Sequence, residues 1–411
     1  MSALSQRNVL RPAPAGLKGA LQRVMFAAMP YAFAVLRRVK PVLRLNRMVL
    51  TSRHDDVRQV FLEDPAFGVP YRQKLDVIMG GQPFFLGMGD TEQYRHDVAA
   101  MRKVVRLEDL PTLARKVEAM AGEIVAAAPG RIEVVDALVR RVTFAVLGEY
   151  FGVPDPGEGR LPVWGTRLFE FQFADQGNDP ALRAEVDEIA PALRAHIDGE
   201  IARRRGEPGG DDVLARCLIE QKAGTSGFSD VEIRTALMGF VVGGPPQPPM
   251  VVPQAMEQLL RRPEALAEAQ AAALSGEDAL LASYVLEAMR FDPLAPGLPR
   301  IVLTDTMIGP GTRHETQVKA GETVLAAFAS AMMDPRRVSD PARFDPHRSD
   351  SDYIHFGYGL HQCFGIHINK ATLHLMLKPL LKQRGLRRAA GKSGRLSKIG
   401  AFAEALTVEW D

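Results

Sequence analysis

Ten residues, Phe356-Gly-Tyr-Gly-Leu-His-Gln-Cys363-Phe-Gly365, constrain this chain more tightly than any others. A single cysteine sits among Gly357, Gly359 and Gly365, ahead of a helix-forming run from Ile366 to Lys378. Glycine lets backbone come close and adopt positive φ, so amide N–H groups can turn towards the sulfur. A helix starting just after the cysteine favours its thiolate, because a helix N-terminus carries partial positive charge. Such a sulfur is a strong anionic ligand, and one cysteine alone suits a metal that a macrocycle already holds. The competing reading is a buried, inert cysteine in a glycine-rich turn.

The loop resembles the heme-thiolate signature of the cytochrome P450 family, Phe-Gly-x-Gly-x-His-x-Cys-x-Gly, at Phe356, Gly357, Gly359, His361, Cys363 and Gly365. The resemblance runs from about residue 43 to the end of the chain. It implies a mainly α fold with a small β-rich lobe, triangular and two-lobed, holding heme b with Cys363 as the proximal iron ligand. Glu287 and Arg290 match the family's ExxR helix, and Arg348 in Phe344-Asp-Pro-His-Arg348 matches the arginine of the later meander. Their implied role is structural. Alone, an acid and an arginine three residues apart would be an ordinary helix-surface pair. Arg300 and His361 match residues that contact the heme propionates, which need cationic or hydrogen-bonding partners. A third contact is expected from the basic helix at 90–106. The customary aromatic or histidine with an arginine one turn later is not cleanly present there, and Tyr94, Arg95 and Arg102 are the candidates.

Bulk properties fit a cytoplasmic enzyme. The 411 residues show no internal linker, so a single heme domain over 1–411 is expected, with 1–42 as an N-terminal extension. A charge of +2 excludes a nucleic-acid binder by bulk electrostatics. Two cysteines, Cys217 and Cys363, exclude a disulfide framework and a cysteine-built zinc cluster. No GxGxxG, P-loop or CxxC occurs, so electrons, where needed, come from another protein. The apolar stretch Val24–Leu36, with Lys18 and Arg23 before it and Arg37 and Arg38 after, is too short to span a bilayer and contains Pro30. It reads as a surface-packed helix, with a signal peptide ending at Ala32-Phe-Ala34 as the alternative. A monomer without an integral membrane span is expected.

Periodicity predicts mostly helices. Short strands are expected at Val42–Leu45, Met48–Leu50, Arg300–Leu303 and Thr323–Leu325, and a helix over 55–62. Residues 63–89 read as a long irregular stretch fit to cover a pocket. Helices are expected over 90–106, 111–151, 160–205 and 211–222, with Pro/Gly breaks at 154–157 and 207–210. Ser229-Asp-Val-Glu232 opens a further helix in capping-box fashion.

The central helix departs from the family at Gly239-Phe-Val-Val-Gly-Gly-Pro-Pro-Gln-Pro-Pro-Met250. Counting back from Leu259-Leu-Arg-Arg-Pro263 puts Gly243 and Gly244 on the family's glycines, Pro246 on its acid and Gln247 on its alcohol. A proline inside a helix costs about 3 kcal/mol. The chain is therefore expected to leave helical geometry near Gly243 and restart at Pro248 or Pro249. The usual acid–alcohol proton relay is missing, since proline titrates nothing and a glutamine amide is no general acid at neutral pH. Two routes follow. A peroxide or hydroperoxide oriented by Gln247 already carries a reduced O–O bond, which distantly resembles fungal fatty-acid diol synthase P450 domains. Otherwise a water chain through the broken helix supplies protons, with an external ferredoxin and reductase supplying electrons. Arg95, Arg102, Lys103 and Arg106 then suit an acidic ferredoxin.

An apolar small-molecule substrate is expected against Phe84, Phe85, Leu294, Ala295, the Gly243–Gln247 bend and Phe402, with Phe169, Phe171 and Phe173 as either pocket or core. Two other function classes stay open. One is a heme-thiolate hydroperoxide isomerase or lyase that needs no reductant. The other is a non-catalytic heme-binding sensor.

Overall fold

The structure is a computed structural model that describes residues 9–13, 16–207 and 209–411. Pro208, within the expected 207–210 break, and the side chains of Lys18 and Arg23 lie outside the described part, as do 1–8 and 14–15 of the expected extension. The apolar N-terminal stretch belongs to α1 (Gly16–Val39), followed by α2 (His54–Leu62), α3 (Arg72–Met79), α4 (Glu92–Val104), α5 (Leu110–Ala126), α6 (Arg141–Phe151) and α7 (Arg160–Phe169). Next come α8 (Pro180–Gly206), α9 (Val213–Lys222), α10 (Asp230–Gly243), α11 (Pro248–Leu260), α12 (Pro263–Ser275), α13 (Asp278–Phe291), the short α14 (Phe328–Ala331) and α15 (Ile366–Leu381).

The strands are β1 (Val42–Leu45), β2 (Met48–Thr51), β3 (Phe67–Gly68), β4 (Arg131–Glu133), β5 (Leu298–Val302), β6 (Thr306–Ile308), β7 (Thr316–Val318) and β8 (Thr323–Ala326). Four more close the chain, β9 (Arg387–Arg388), β10 (Ser397–Ile399), β11 (Phe402–Ala405) and β12 (Thr407–Glu409). The largest sheet runs β1-β2-β8-β5-β3, with β2 and β8 parallel and the other pairs antiparallel. Leu45 pairs with Met48 across a two-residue turn, and Asn46 takes φ 57° there, a conformation asparagine tolerates.

The expected organisation holds with three local corrections. The stretch 63–89 is not structureless, because it contains α3, whose Leu75, Ile78 and Met79 are buried against the helical core. The helix expected over 111–151 is interrupted after α5, where Gly130 at φ 72° turns the chain into β4 and a π-helical segment Val134–Arg140. The helix expected over 160–205 breaks likewise at a π-helical segment, Glu170–Ala174. Such wide turns carry one extra residue and shift the side-chain register, so Phe169 and Phe173 reach the central cavity while Phe171 packs under Lys74.

Two large apolar clusters build the interior, with a small third of Phe169, Met250 and Phe402 between α7, α11 and β11. The largest gathers α4 to α13 and α15, and the second lies on the main sheet around Val49, Phe61, Phe67, Val302 and Val324. The α15 helix packs along α5 and against α13, which fixes the direction in which its first turn points. Its N-terminal loop and the α10–α11 break face a common cavity. Among the described residues no helix is long and apolar enough to cross a membrane.

Candidate functional site

Glycine geometry shapes the cysteine loop. Gly357 and Gly359 stand at φ 67° and 70°. A Cβ on Gly359 would lie 2.7 Å from the Phe61 carbonyl, so the loop can lie this close to α2 only with glycine there. The Cys363 N–H donates to the Phe356 carbonyl at 2.9 Å, and Gly365 caps α15. The Cys363 sulfur lines the cavity, and Asn369 Nδ2 approaches it at 3.9 Å. Burial raises the Cys363 pKa, and the Gly365 N–H, Arg102 and Asn369 only partly oppose it.

Around the sulfur stands an aromatic frame. Phe364 stacks on Phe240 of α10 at 5.3 Å and approaches Phe85 at 5.6 Å, while the Arg102 guanidinium lies 3.8 Å over its ring. Phe84 packs so closely on α10 that a Cβ at Gly239 would meet its ring at 2.1 Å. The cavity measures about 1250 Å³. It is lined by Cys363, His361, Phe356, Gly357, Gly365, Arg300, Arg102 and Tyr94, by Gly243, Gly244 and Gln247, and by Phe84, Phe85, Leu294, Ala295 and Phe402. Arg95 is absent from that wall. It sits on the solvent side of α4, paired with Asp90 at 2.6 Å, one helical step away from the inward-facing Tyr94.

Two cations of the cavity wall stand apart from the lining acids, and they test the heme reading. Arg300 is 3 % exposed and has no carboxylate within ion-pair distance; its Nε is buried without a partner, and Nη1 donates only to the adjacent Pro299 carbonyl. Burial lowers its pKa. Beside it lies the buried Tyr71 hydroxyl, whose one polar neighbour is the Arg300 guanidinium, at less than ideal hydrogen-bond geometry. Arg102, though exposed, also lines the cavity; partial desolvation lowers its pKa, and among the described residues no acid pairs with it. A buried cation lacking an anion is unfavourable by several kcal/mol, so these donors fit a group bringing carboxylates to that wall. A heme, with its two propionates beside a cysteine sulfur, is such a group. His361 is pushed down to about 4 by burial and by Arg300, so it is neutral at pH 7.

The proline-rich break lies where the prolines require it: α10 ends at Gly243 and α11 restarts at Pro248. The Gln247 side chain bridges the gap, its Nε2 donating to the Gly243 carbonyl. Its Oε1 has no protein partner among the described residues and belongs to a side chain that lines the cavity.

Glu287, Arg290 and Arg348 meet away from the cavity. Glu287 and Arg290 are fully buried and joined by two bonds of 2.6 and 2.8 Å, and Arg348 Nε donates to Glu287 at 3.2 Å. Tyr353 and the Asp345 N–H complete the coordination of Glu287, while Arg290 and Arg348 tie down carbonyls from Met332 to Arg343. Sequence reasoning missed Tyr71, Asn369 and the cavity-lining His355. For Asn369 a signal existed, a polar residue one turn into the helix that follows the cysteine. For Tyr71 none did, since only the fold brings α3 beside β5.

The cytochrome P450 family model matches residues 181–384. The chain is 27% identical over 375 residues to the cytochrome P450 monooxygenase PikC of Streptomyces venezuelae, covering 87% of this chain and 84% of that one. It is 37% identical over 151 residues to Psi-producing oxygenase A of Emericella nidulans, covering 33% of this chain and 14% of that one. The open structure of cytochrome P450 EryK from S. erythraea superposes with a TM-score of 0.78 at 21% identity, over 93% of this chain and 96% of that one. Motif, sequence and fold agree, and the chain belongs to the cytochrome P450 family of heme-iron monooxygenases.

Proposed function

We propose that this chain holds heme b with Cys363 as the only protein ligand to the iron, and oxygenates an apolar small organic or lipid substrate. The observation that carries this reading is the Cys363 sulfur in the wall of a largely apolar cavity that also holds two guanidinium groups, Arg300 and Arg102, unpaired with any acid among the described residues. Arg300, Arg102, Tyr71 and His361 would receive the propionates, and Asn369 with the Gly365 N–H would hold the sulfur. When bound, the heme iron supplies oxygen-atom transfer.

The chain's own contribution to O–O activation rests on Gln247. Its amide N–H is engaged by the Gly243 carbonyl, which leaves the amide oxygen as the remaining acceptor of a side chain that lines the cavity. An acceptor orients the O–H of a hydroperoxide or a water, and it donates no proton. No residue of Gly243–Pro249 titrates. This supports use of a hydroperoxide: R–H and R′O–OH give R–OH and R′–OH, with the two electrons lost by carbon reducing the O–O bond. Oxygen from air would need two electrons from an external ferredoxin and reductase, and protons through water at the helix break. A reductant-free hydroperoxide isomerase is the second reading, favoured by the same unprotonatable wall.

Turnover of a lipid and aromatic panel with hydroperoxide alone, against ferredoxin, reductase and NAD(P)H, separates these routes. Cys363→Ser should abolish the thiolate-type spectrum of the reduced carbon-monoxide complex. Gln247→Leu should lower hydroperoxide-driven turnover about tenfold, the loss of roughly one hydrogen bond, with heme content unchanged. A Cys363→Ser protein that keeps the spectrum overturns the ligand assignment. Unchanged hydroperoxide turnover in Gln247→Leu overturns the role of the amide.

A further inference from the structure

The α1 helix is apolar on two faces, and the described residues cover only one of them. Phe33 and Arg37 are buried, with Arg37 donating to the Ser330 carbonyl and hydroxyl. Leu21, Val24, Met25, Tyr31, Val35 and Val39 are all more than half exposed, Tyr31 and Val39 at 77% and 78%. Their spacing at 100° per residue places them on one stripe roughly 120° wide. Contiguous exposed apolar surface of this kind marks a docking site.

Charge says what it docks to. Ten lysines and arginines and no acid precede Asp55, so the chain's net +2 conceals a strongly basic N-terminal segment on a remainder of −8. Arg38, Lys40 and Arg47 are exposed beside the stripe. A second copy would bring two such basic segments together, which repel. An anionic bilayer instead offers acyl chains to the stripe and headgroups to the bases. The stripe is also continuous with the cavity: Met25, exposed on α1, and Met48, exposed after the β1–β2 turn, both line its mouth together with Phe26 and Met29.

We propose that α1 docks this protein peripherally on an anionic lipid surface, with the cavity mouth opening at the bilayer interface. Delivery of substrate from the bilayer rests on the apolar-substrate reading above; the docking does not, and it is read without turnover. The test is co-sedimentation of the full heme-loaded chain with vesicles of phosphatidylcholine alone or with added phosphatidylglycerol. Binding should be at least about tenfold stronger to the anionic vesicles at low salt and should weaken in high salt. Tyr31→Glu/Val35→Glu should lower it about tenfold or more, with the circular dichroism unchanged because both side chains are exposed. Arg38→Glu/Lys40→Glu should remove the preference for anionic lipid. Wild type binding both vesicles equally or neither, or a Tyr31→Glu/Val35→Glu variant binding as wild type, overturns the proposal. So does a wild-type dimer that this variant dissociates, which would assign the stripe to a second copy.

Discussion

Arg300 shows how a single residue can carry a cost that only makes sense with a missing partner. It is buried and charged, among the described residues no acid pairs with it, and its polar neighbour is the buried Tyr71 hydroxyl. Replacing a buried unpaired charge by an apolar side chain of similar size relieves desolvation. Arg300→Met should therefore leave the heme-free protein as stable or more stable, by about 1–4 kcal/mol in urea unfolding. The same change should speed loss of heme to a scavenging apo-globin. Slower or unchanged heme loss would mean that Arg300 serves something other than the cofactor. The sequence marks Arg300 only through resemblance. That no described acid pairs with it is a tertiary fact: Asp64, just past α2, attracts it through space without forming an ion pair.

Among the elements, α13 and the segment 334–348 depend on one another. The segment has little regular structure, and its carbonyls find donors in Arg290 and Arg348, which Glu287 holds in place. Glu287→Ala leaves two buried guanidinium groups without their anion. Breaking such a pair costs on the order of 3–5 kcal/mol, a large share of a typical folding free energy. Heme-loaded yield should fall steeply, and thermal unfolding should begin at lower temperature. A fully loaded variant with altered product selectivity alone would place Glu287 in substrate binding instead. The proline break between α10 and α11 was legible for a simple reason: proline lacks the N–H that a helix needs, whatever surrounds it. The π-helical segments at 134–140 and 170–174 were not, because periodicity tolerates one extra residue and packing decides where it goes.

At the scale of the whole molecule, burial of neutral histidines sets the acid limit of the fold. His374 on α15 is buried, makes no hydrogen bond among the described residues and is pushed down to about 4 by desolvation. An unfolded histidine binds its proton near pH 6.5, so as pH falls below that value the unfolded state gains protons first and stability is lost until about pH 4. His355 adds to the same limb, held neutral with its Nε2 at the Leu286 carbonyl. His374→Leu should flatten the decline of stability between pH 6.5 and 4, measured by urea midpoints, while an unchanged slope would show that His374 is solvated. The sequence by itself determined the cysteine loop, the helix break, the capping box at Ser229 and the short strands of the first lobe, because each follows from local backbone chemistry: glycine's φ, proline's missing N–H, a reciprocal side-chain cap, alternation. Tertiary structure decided what no window of residues contains. It turned Tyr94 inward and Arg95 outward, left Arg300 without an acid among the described residues, put the Gln247 side chain in the cavity wall, and bared an apolar stripe on α1. Burial and pairing depend on which distant segments pack together, and that is settled by the whole core at once.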